Sequence, residues 1–173
     1  LARTDSQKVN FIRTDLQRAT LYKANLEGAN LQNTRLWRAS LQETNLQRVN
    51  LQEAYLQGAN LQNANLQDAN LQDAHLEGAY MQGAYMQGAN LRGVDLRKAN
   101  LAETGILSFQ GSGEFAFYVP WDNYIQIGNK GGLLSDWKSF YQIVAKGYHH
   151  TEAQVDEYLE FIYSCLKYSL HCA

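Results

Sequence analysis

The sequence predicts a mainly β solenoid, a chain that turns a corner every five residues and stacks coil upon coil, capped by a small C-terminal α+β segment. Three observations carry this. A large apolar residue recurs at every fifth position without a break from Leu16 to Ile106, a small residue lies two places before each, and the register stops after Ile106.

The register runs from Leu16 through Leu76, continues as Met81, Met86, Leu91, Leu96 and Leu101, and ends at Ile106. The small partners run from Ala19, Ala24, Ala29, Thr34 and Ala39 to Ala89, Val94, Ala99 and Thr104. A period of five fits neither the helical nor the strand repeat, so no single element can bury both series on one side. The chain must bend at each repeat, with one large and one small residue inward and three polar residues outward. Four such repeats close a square coil.

This pattern resembles the pentapeptide-repeat family, with its A-(D/N)-L-x-x consensus, as in Ala24-Asn25-Leu26-Glu27-Gly28 and Ala69-Asn70-Leu71-Gln72-Asp73. The resemblance implies a right-handed quadrilateral β-helix of about five coils over residues 1–106, on the order of 25 Å tall at the usual strand spacing. The departures gather at the start, where Ser6 and Phe11 take leucine positions and Thr4, Val9 and Thr14 take alanine positions. A frayed or capping first coil is expected there, because a terminal repeat has one neighbour to pack on.

With twenty residues per coil, the outward positions read as vertical columns. Asn10, Asn30, Asn50, Asn70 and Asn90 form an asparagine ladder, and Gln32, Gln52 and Gln72 line up beside Gln42, Gln62 and Gln82. Stacked amides stabilise such columns by bonding from coil to coil. Two places after the core leucine, Arg3, Lys8, Arg13, Arg18 and Lys23 put a cation at successive corners of the first turns. This crown reads either as protection of an open sheet edge or as a patch for an anionic partner. Residues 1–50 hold eight basic against four acidic residues, and residues 51–106 three against six, so the rod is polarised along its axis.

Gly78, Gly83, Gly88 and Gly93 occupy the same corner position in consecutive repeats, beside Tyr80 and Tyr85. Glycine admits a close backbone and tyrosine offers apolar area with a polar tip. Docking of the protein's own tail or of a partner is expected at this belt. Tyr22, Trp37 and Tyr55 read as scattered outward aromatics, either surface noise or a binding patch.

Residues 107–173 form the second, non-repeat unit. Gln110-Gly111-Ser112-Gly113 reads as a linker, and Phe115–Val119 and Tyr124–Ile127 as a β-hairpin around Pro120-Trp121-Asp122-Asn123. Ser135 caps a helix through Trp137, Phe140, Tyr141 and Val144 that ends at Gly147, and Thr151 with Gln154 opens a second helix reaching about Tyr168. These elements are expected to cover the open C-terminal end of the solenoid. Tyr124–Gly128 followed by Trp137 is similar to an appendage of some bacterial and phage repeat proteins, whose expected cysteine is replaced here by Asn129.

The repeats present no convergent catalytic group. Asp68 and Asp73 stand at adjacent corners, so their carboxylates point apart, and His75 reads as an isolated, solvated side chain. His149 and His150 with Glu152 or Asp156 make a poor metal set, and Cys165 reads as a small buried hydrophobe. No cofactor and no enzymatic activity are expected. The chain is expected to be a protein-interaction or scaffold rod for an unknown protein partner, as a monomer or a homodimer.

Within the family, quinolone-resistance proteins are thought to mimic DNA and bind gyrase through an acidic rod. Here the repeats carry eleven basic and ten acidic residues, which removes the electrostatic premise of that alternative. An enzyme or metal site in the C-terminal unit is the remaining alternative. Nucleic acid is not an expected partner at a net charge of -2, nor is a membrane, since no long apolar run exists. Two cysteines, both within the last nine residues, point to a reducing cytoplasm, while the start at Leu1 leaves an exported form open.

Overall fold

The computed structural model describes residues 8–110, 115–128, 130–136 and 151–171. The chain divides into two compact units, Leu1–Gly105 and Ile106–Ala173. The helix expected from Ser135 to Gly147 falls almost wholly outside the described residues, as do Arg3, His149, His150 and Cys172.

The first unit is a β-solenoid built from corners. In each repeat the N–H of the small inward residue donates to the carbonyl of the core residue three places back, as from Ala24 to Leu21 at 3.0 Å. The residue between them, two after the leucine, takes a positive φ at all twenty corners from Lys8 to Glu103. Such a turn favours glycine at that position, yet only six of these corners are glycine and the other fourteen hold φ between 53° and 63°. The charged crown of Lys8, Arg13, Arg18 and Lys23 therefore sits on left-handed backbone.

Between corners the chain is extended, and each residue preceding a core leucine forms a parallel bridge with its counterpart twenty residues on, from Asn10↔Asn30 to Tyr80↔Asn100. The core N–H groups extend the ladder, as Leu51 donates to Asn70 at 2.7 Å and Asn50 to Ala29 at 3.0 Å. Twenty residues thus make one coil, and bending of the chain satisfies the backbone that a flat edge would leave open.

The leucine and alanine series fill the interior. Leu31 through Leu76, with Met81 and Met86, are sealed from solvent, and the alanines beside them are equally buried. Leu16 in the first described coil is only half-buried. Threonine replaces alanine without leaving a buried hydroxyl orphaned: Thr34 donates to the Phe11 carbonyl and Thr44 to the Leu21 carbonyl, each at 2.8 Å.

The second unit holds a four-stranded antiparallel meander in the order β1-β2-β3-β4: Leu107–Gln110, Phe115–Val119, Tyr124–Ile127 and Lys130–Leu133. β2 and β3 pair as Ala116↔Ile127 and Tyr118↔Ile125 around a short 3-10 turn at Pro120–Asp122. Two further strands flank this hairpin. Gly131 explains why β4 escapes a composition-based reading: any Cβ there would collide with the Tyr124 ring, which lies across the strand. Helix α1, Glu152–His171, packs Tyr158, Ile162 and Cys165 onto the face formed by Ala116, Tyr118, Ile125 and Ile127. Phe109 ties the two layers together, edge-on to Tyr158 at 5.8 Å and stacked with Phe161 at 5.6 Å.

Candidate interaction surface

The outward residue before each core leucine determines how a corner is finished. Wherever it is Asn or Asp, its side-chain oxygen accepts the N–H of the residue two places on. All twelve such positions from Asn10 to Asn100 do this, at 3.1–3.3 Å. On the Asn10 face the same side chains also bond along the axis, with Asn50 donating to Asn30, Asn70 to Asn50 and Asn90 to Asn70 at 3.1–3.3 Å. The amide ladder is thus both a corner clamp and a coil-to-coil tie.

Five positions give up this clamp for a side chain that cannot supply it: Arg35, Tyr55, His75, Tyr80 and Tyr85. Each forgoes a net contribution of about 1 kcal/mol. Three of them share one column with Asp15 and Asp95, joined by the bridges Asp15↔Arg35, Arg35↔Tyr55, Tyr55↔His75 and His75↔Asp95. The Tyr55 and His75 rings stack in parallel, centroids 5.0 Å apart and planes 9° apart. His75 is therefore not the isolated side chain that the sequence suggested, and Tyr55 is not scattered. Both lie in one twenty-residue column of the sequence, just as the asparagines from Asn10 do.

The same face is charged at its two ends. Arg35 approaches Asp15 at 4.0 Å, and Arg97 reaches both Asp95 and Glu77. Burial works to raise the Asp95 carboxyl, but its bonds to Arg97 prevail and hold it below its ordinary value. Trp37 follows Arg35 by two residues and is 47% exposed.

Tyr80 and Tyr85 occupy the next two faces and are 54% and 56% exposed. The glycine corners beside them are not bare. The side-chain oxygens of Asn63, Asp68 and Asp73 lie where a Cβ on Gly83, Gly88 and Gly93 would sit, while nothing lies over Gly78. Glycine here lets the preceding coil fold its own polar side chain across the corner. Asp68 and Asp73 are thereby separated onto different corners.

In the basic crown, Lys23 is engaged by Glu43 at 3.0 Å and lies over the Tyr22 ring at 5.1 Å. Tyr22 donates its hydroxyl to Glu43 at 3.0 Å. The Lys8 stem lies over Gly28. Lys8, Arg13 and Arg18 occupy successive corners as the sequence places them, and Arg18 faces a groove shared with Trp37 and Arg38.

In the second unit, burial pushes the Cys165 thiol up to about 12, which keeps it protonated and a poor nucleophile. Among the described residues no group of three or more His, Cys, Asp or Glu side chains is placed to hold a metal ion, and no helix is long and apolar enough to cross a membrane.

Comparison with known proteins agrees with this architecture. The family model for pentapeptide repeats matches in eight copies over residues 1–33, 29–68 and 64–102. The solved pentapeptide repeat protein Rfr23 from the cyanobacterium Cyanothece 51142 is 35% identical, over 57% of this chain and 84% of that one, with a TM-score of 0.50. HetL from the cyanobacterium Nostoc sp. strain PCC 7120, a pentapeptide repeat protein involved in heterocyst differentiation regulation, is 30% identical over 60% of each chain, with a TM-score of 0.46. A pentapeptide repeat protein of the Arabidopsis thaliana thylakoid lumen is 34% identical over 60% of this chain and 68% of that one, with a TM-score of 0.41. No curated protein matches the sequence. With the five-residue corners, the twenty-residue coils and this run of family matches in agreement, the chain belongs to the pentapeptide-repeat family.

Proposed function

We propose that this protein is a non-enzymatic interaction scaffold whose partner protein is held by the outward aromatic and charged side chains that break the asparagine clamp. The carrying observation is the set Arg35, Tyr55, His75, Tyr80 and Tyr85, each of which replaces a corner bond used at twelve other positions. Among the described residues Tyr80 and Tyr85 gain no ring stack or ion pair in exchange, and an uncompensated departure from a local rule that favours stability marks a functional position. Tyrosine and arginine are also the residue types in which binding energy concentrates. The ring stack and the corner backbone bonds hold Tyr55 and His75 in fixed relation, so little ordering entropy is lost there on binding.

The test is affinity capture from the native cell with the intact protein and two variants, Tyr55→Asn with His75→Asn, and Tyr80→Asn with Tyr85→Asn. Asparagine restores the corner bond, so folding is retained. Loss of a captured protein with either variant is the expected result, and the same captured set with all three proteins would refute the reading.

A further inference from the structure

One groove on the solenoid is not accounted for by the ladders or the tyrosines. Gln17, Arg18, Trp37, Arg38 and Gln57 line a cleft of about 430 Å³ at a single corner of the rod. It is assembled from three successive coils, because Gln17, Trp37 and Gln57 are each twenty residues apart, as are Arg18 and Arg38.

We infer that this groove is an anchor for an acidic segment of a partner protein, with a carboxylate held between Arg18 and Arg38 and a neighbouring apolar or aromatic side chain laid on Trp37. The inference rests on the scaffold reading above and names the chemistry of the partner. Several features of the cleft converge on it. The two guanidinium groups spring from equivalent corners one coil apart, about 4.8 Å along the axis, a spacing that lets both address one carboxylate.

Their backbones are fixed by left-handed corners, at φ 56° for Arg18 and 53° for Arg38, and by ladder bonds to Trp37 and Gln57 of 2.9 and 3.1 Å. Gly58 follows in the same column, and the Arg38 stem rests over it, 3.5 Å from where a Cβ would sit. Among the described residues no carboxylate lines the cleft. Asp15, the acid of the adjoining column, is bound by the Gln17 backbone and faces Arg35.

In the column beside the two arginines stands the half-exposed indole of Trp37, a flat apolar surface beside a positive field. A peptide brings both complements: a carboxylate and a side chain to cover the indole. The half of the rod that holds the cleft also carries the net positive charge, eight basic residues against four acidic in residues 1–50.

The test is selection of a displayed library of random linear peptides on the intact protein, followed by binding of the selected peptides to Arg18→Gln with Arg38→Gln, to Trp37→Ala, and to Tyr80→Asn with Tyr85→Asn. The expected outcome is enrichment of Asp or Glu next to an aromatic or apolar residue, with affinity falling at least ~10-fold in the first two variants. The tyrosine variant is expected to bind the peptides as the intact protein does. All substituted residues are outward-facing, and coincident thermal transitions would show that folding is kept.

A shift of the Trp37 indole N–H resonance on addition of a selected peptide would place the contact. No acidic enrichment, or affinity unmoved by the arginine and tryptophan changes, would overturn the inference. So would arginine-dependent binding of oligothymidylate in place of peptide. If cellular capture is lost in the tyrosine and histidine variants but not in the arginine one, the groove assignment falls and the scaffold reading stands; if no variant alters capture, both fall.

Discussion

Asparagine and aspartate dominate the position before the core leucine because a short side chain with an oxygen at the γ carbon can close the corner without leaving the surface. The energetic consequence is sharpest where the rule is broken and the neighbouring column would welcome its repair. Tyr85 continues the column Asn25, Asn45, Asn65, in which Asn45 donates to Asn25 at 3.1 Å. Tyr85→Asn is expected to add a rung on Asn65 and a clamp on the Gln87 N–H, raising stability by about 1–2 kcal/mol. Urea unfolding measures this, and a lower midpoint would contradict the view that the tyrosine is kept at the expense of the fold. Gly88 makes the opposite case. Its φ is 76°, and Asp68 lies where a side chain would begin, so Gly88→Ala is expected to lose about 1–2 kcal/mol through strain and displacement of Asp68. An unchanged thermal transition would show that the corner is softer than this.

At the scale of the element, the Asn10 column behaves as one hydrogen-bonded strip. Asn50 sits in its middle and takes part in three side-chain bonds: it donates to Asn30, accepts from Asn70, and accepts the Gln52 N–H. Asn50→Ala is expected to destabilise the solenoid by about 2–3 kcal/mol, against about 1 kcal/mol for Asn100→Ala, which removes only the clamp on the Ala102 N–H. Equal losses at the two sites would show that the axial bonds contribute nothing. The Lys23–Glu43 pair ties neighbouring coils electrostatically. Hydrogen bonds from Lys23 and then Tyr22 hold the Glu43 carboxyl below its ordinary 4.5, and those to Tyr22 and Glu43 hold the Lys23 amine above 10.5. The Glu43 contribution is therefore full above pH 4.5 and fades as pH falls through its lowered value. The Lys23 contribution is full below pH 10.5 and fades as pH rises through its raised one. In Glu43→Gln the acid limb of the thermal midpoint against pH is expected to flatten slightly, and an identical limb would dispose of the linkage. Much of this element structure was legible in advance: the period of five can be satisfied only by regular bending, and the asparagine column lies open in the sequence. The left-handed corners were not, because twelve charged residues and two asparagines occupy a position that glycine would have advertised. Strand β4 was hidden for a different reason, since Gly131 serves the Tyr124 ring rather than strand propensity. The Tyr55–His75 stack was concealed by reading aromatic residues along the chain instead of down the column.

At the scale of the whole solenoid, each coil touches only the coil above and the coil below, so stability is a sum of coil terms and nearest-neighbour terms. The ladder bonds show that locality, since every inter-coil backbone bond joins residues about one coil apart, such as Leu56 to His75 and Tyr55 to Thr34. Opposite charges follow the same rule: Asp15 meets Arg35, Lys23 meets Glu43 and Glu77 meets Arg97, each pair twenty residues apart. The axial polarity read from the sequence is thus locally answered by vertical pairing, while Arg18 and Arg38 share a corner column instead of opposing an acid. A one-dimensional assembly of this kind frays from its ends, and the cost of a core deletion should depend on its height in the stack. Leu16 and Leu56 hold equivalent positions in one column, but Leu56 is sealed between two coils whereas Leu16 is half-buried. Leu56→Ala is expected to cost about 3–4 kcal/mol, in the range for a buried leucine that leaves a cavity, and Leu16→Ala about 1 kcal/mol. Hydrogen exchange of the ladder amides separates this from uniform cooperativity. Protection should rise from the Phe11 and Leu16 amides to those of Leu46, Leu51 and Leu56, and Leu16→Ala should speed exchange only in the neighbouring coils. Equal protection at every height, with both deletions lowering all amides together, would mean that the stack unfolds as one body and that its coils do not act as separable units.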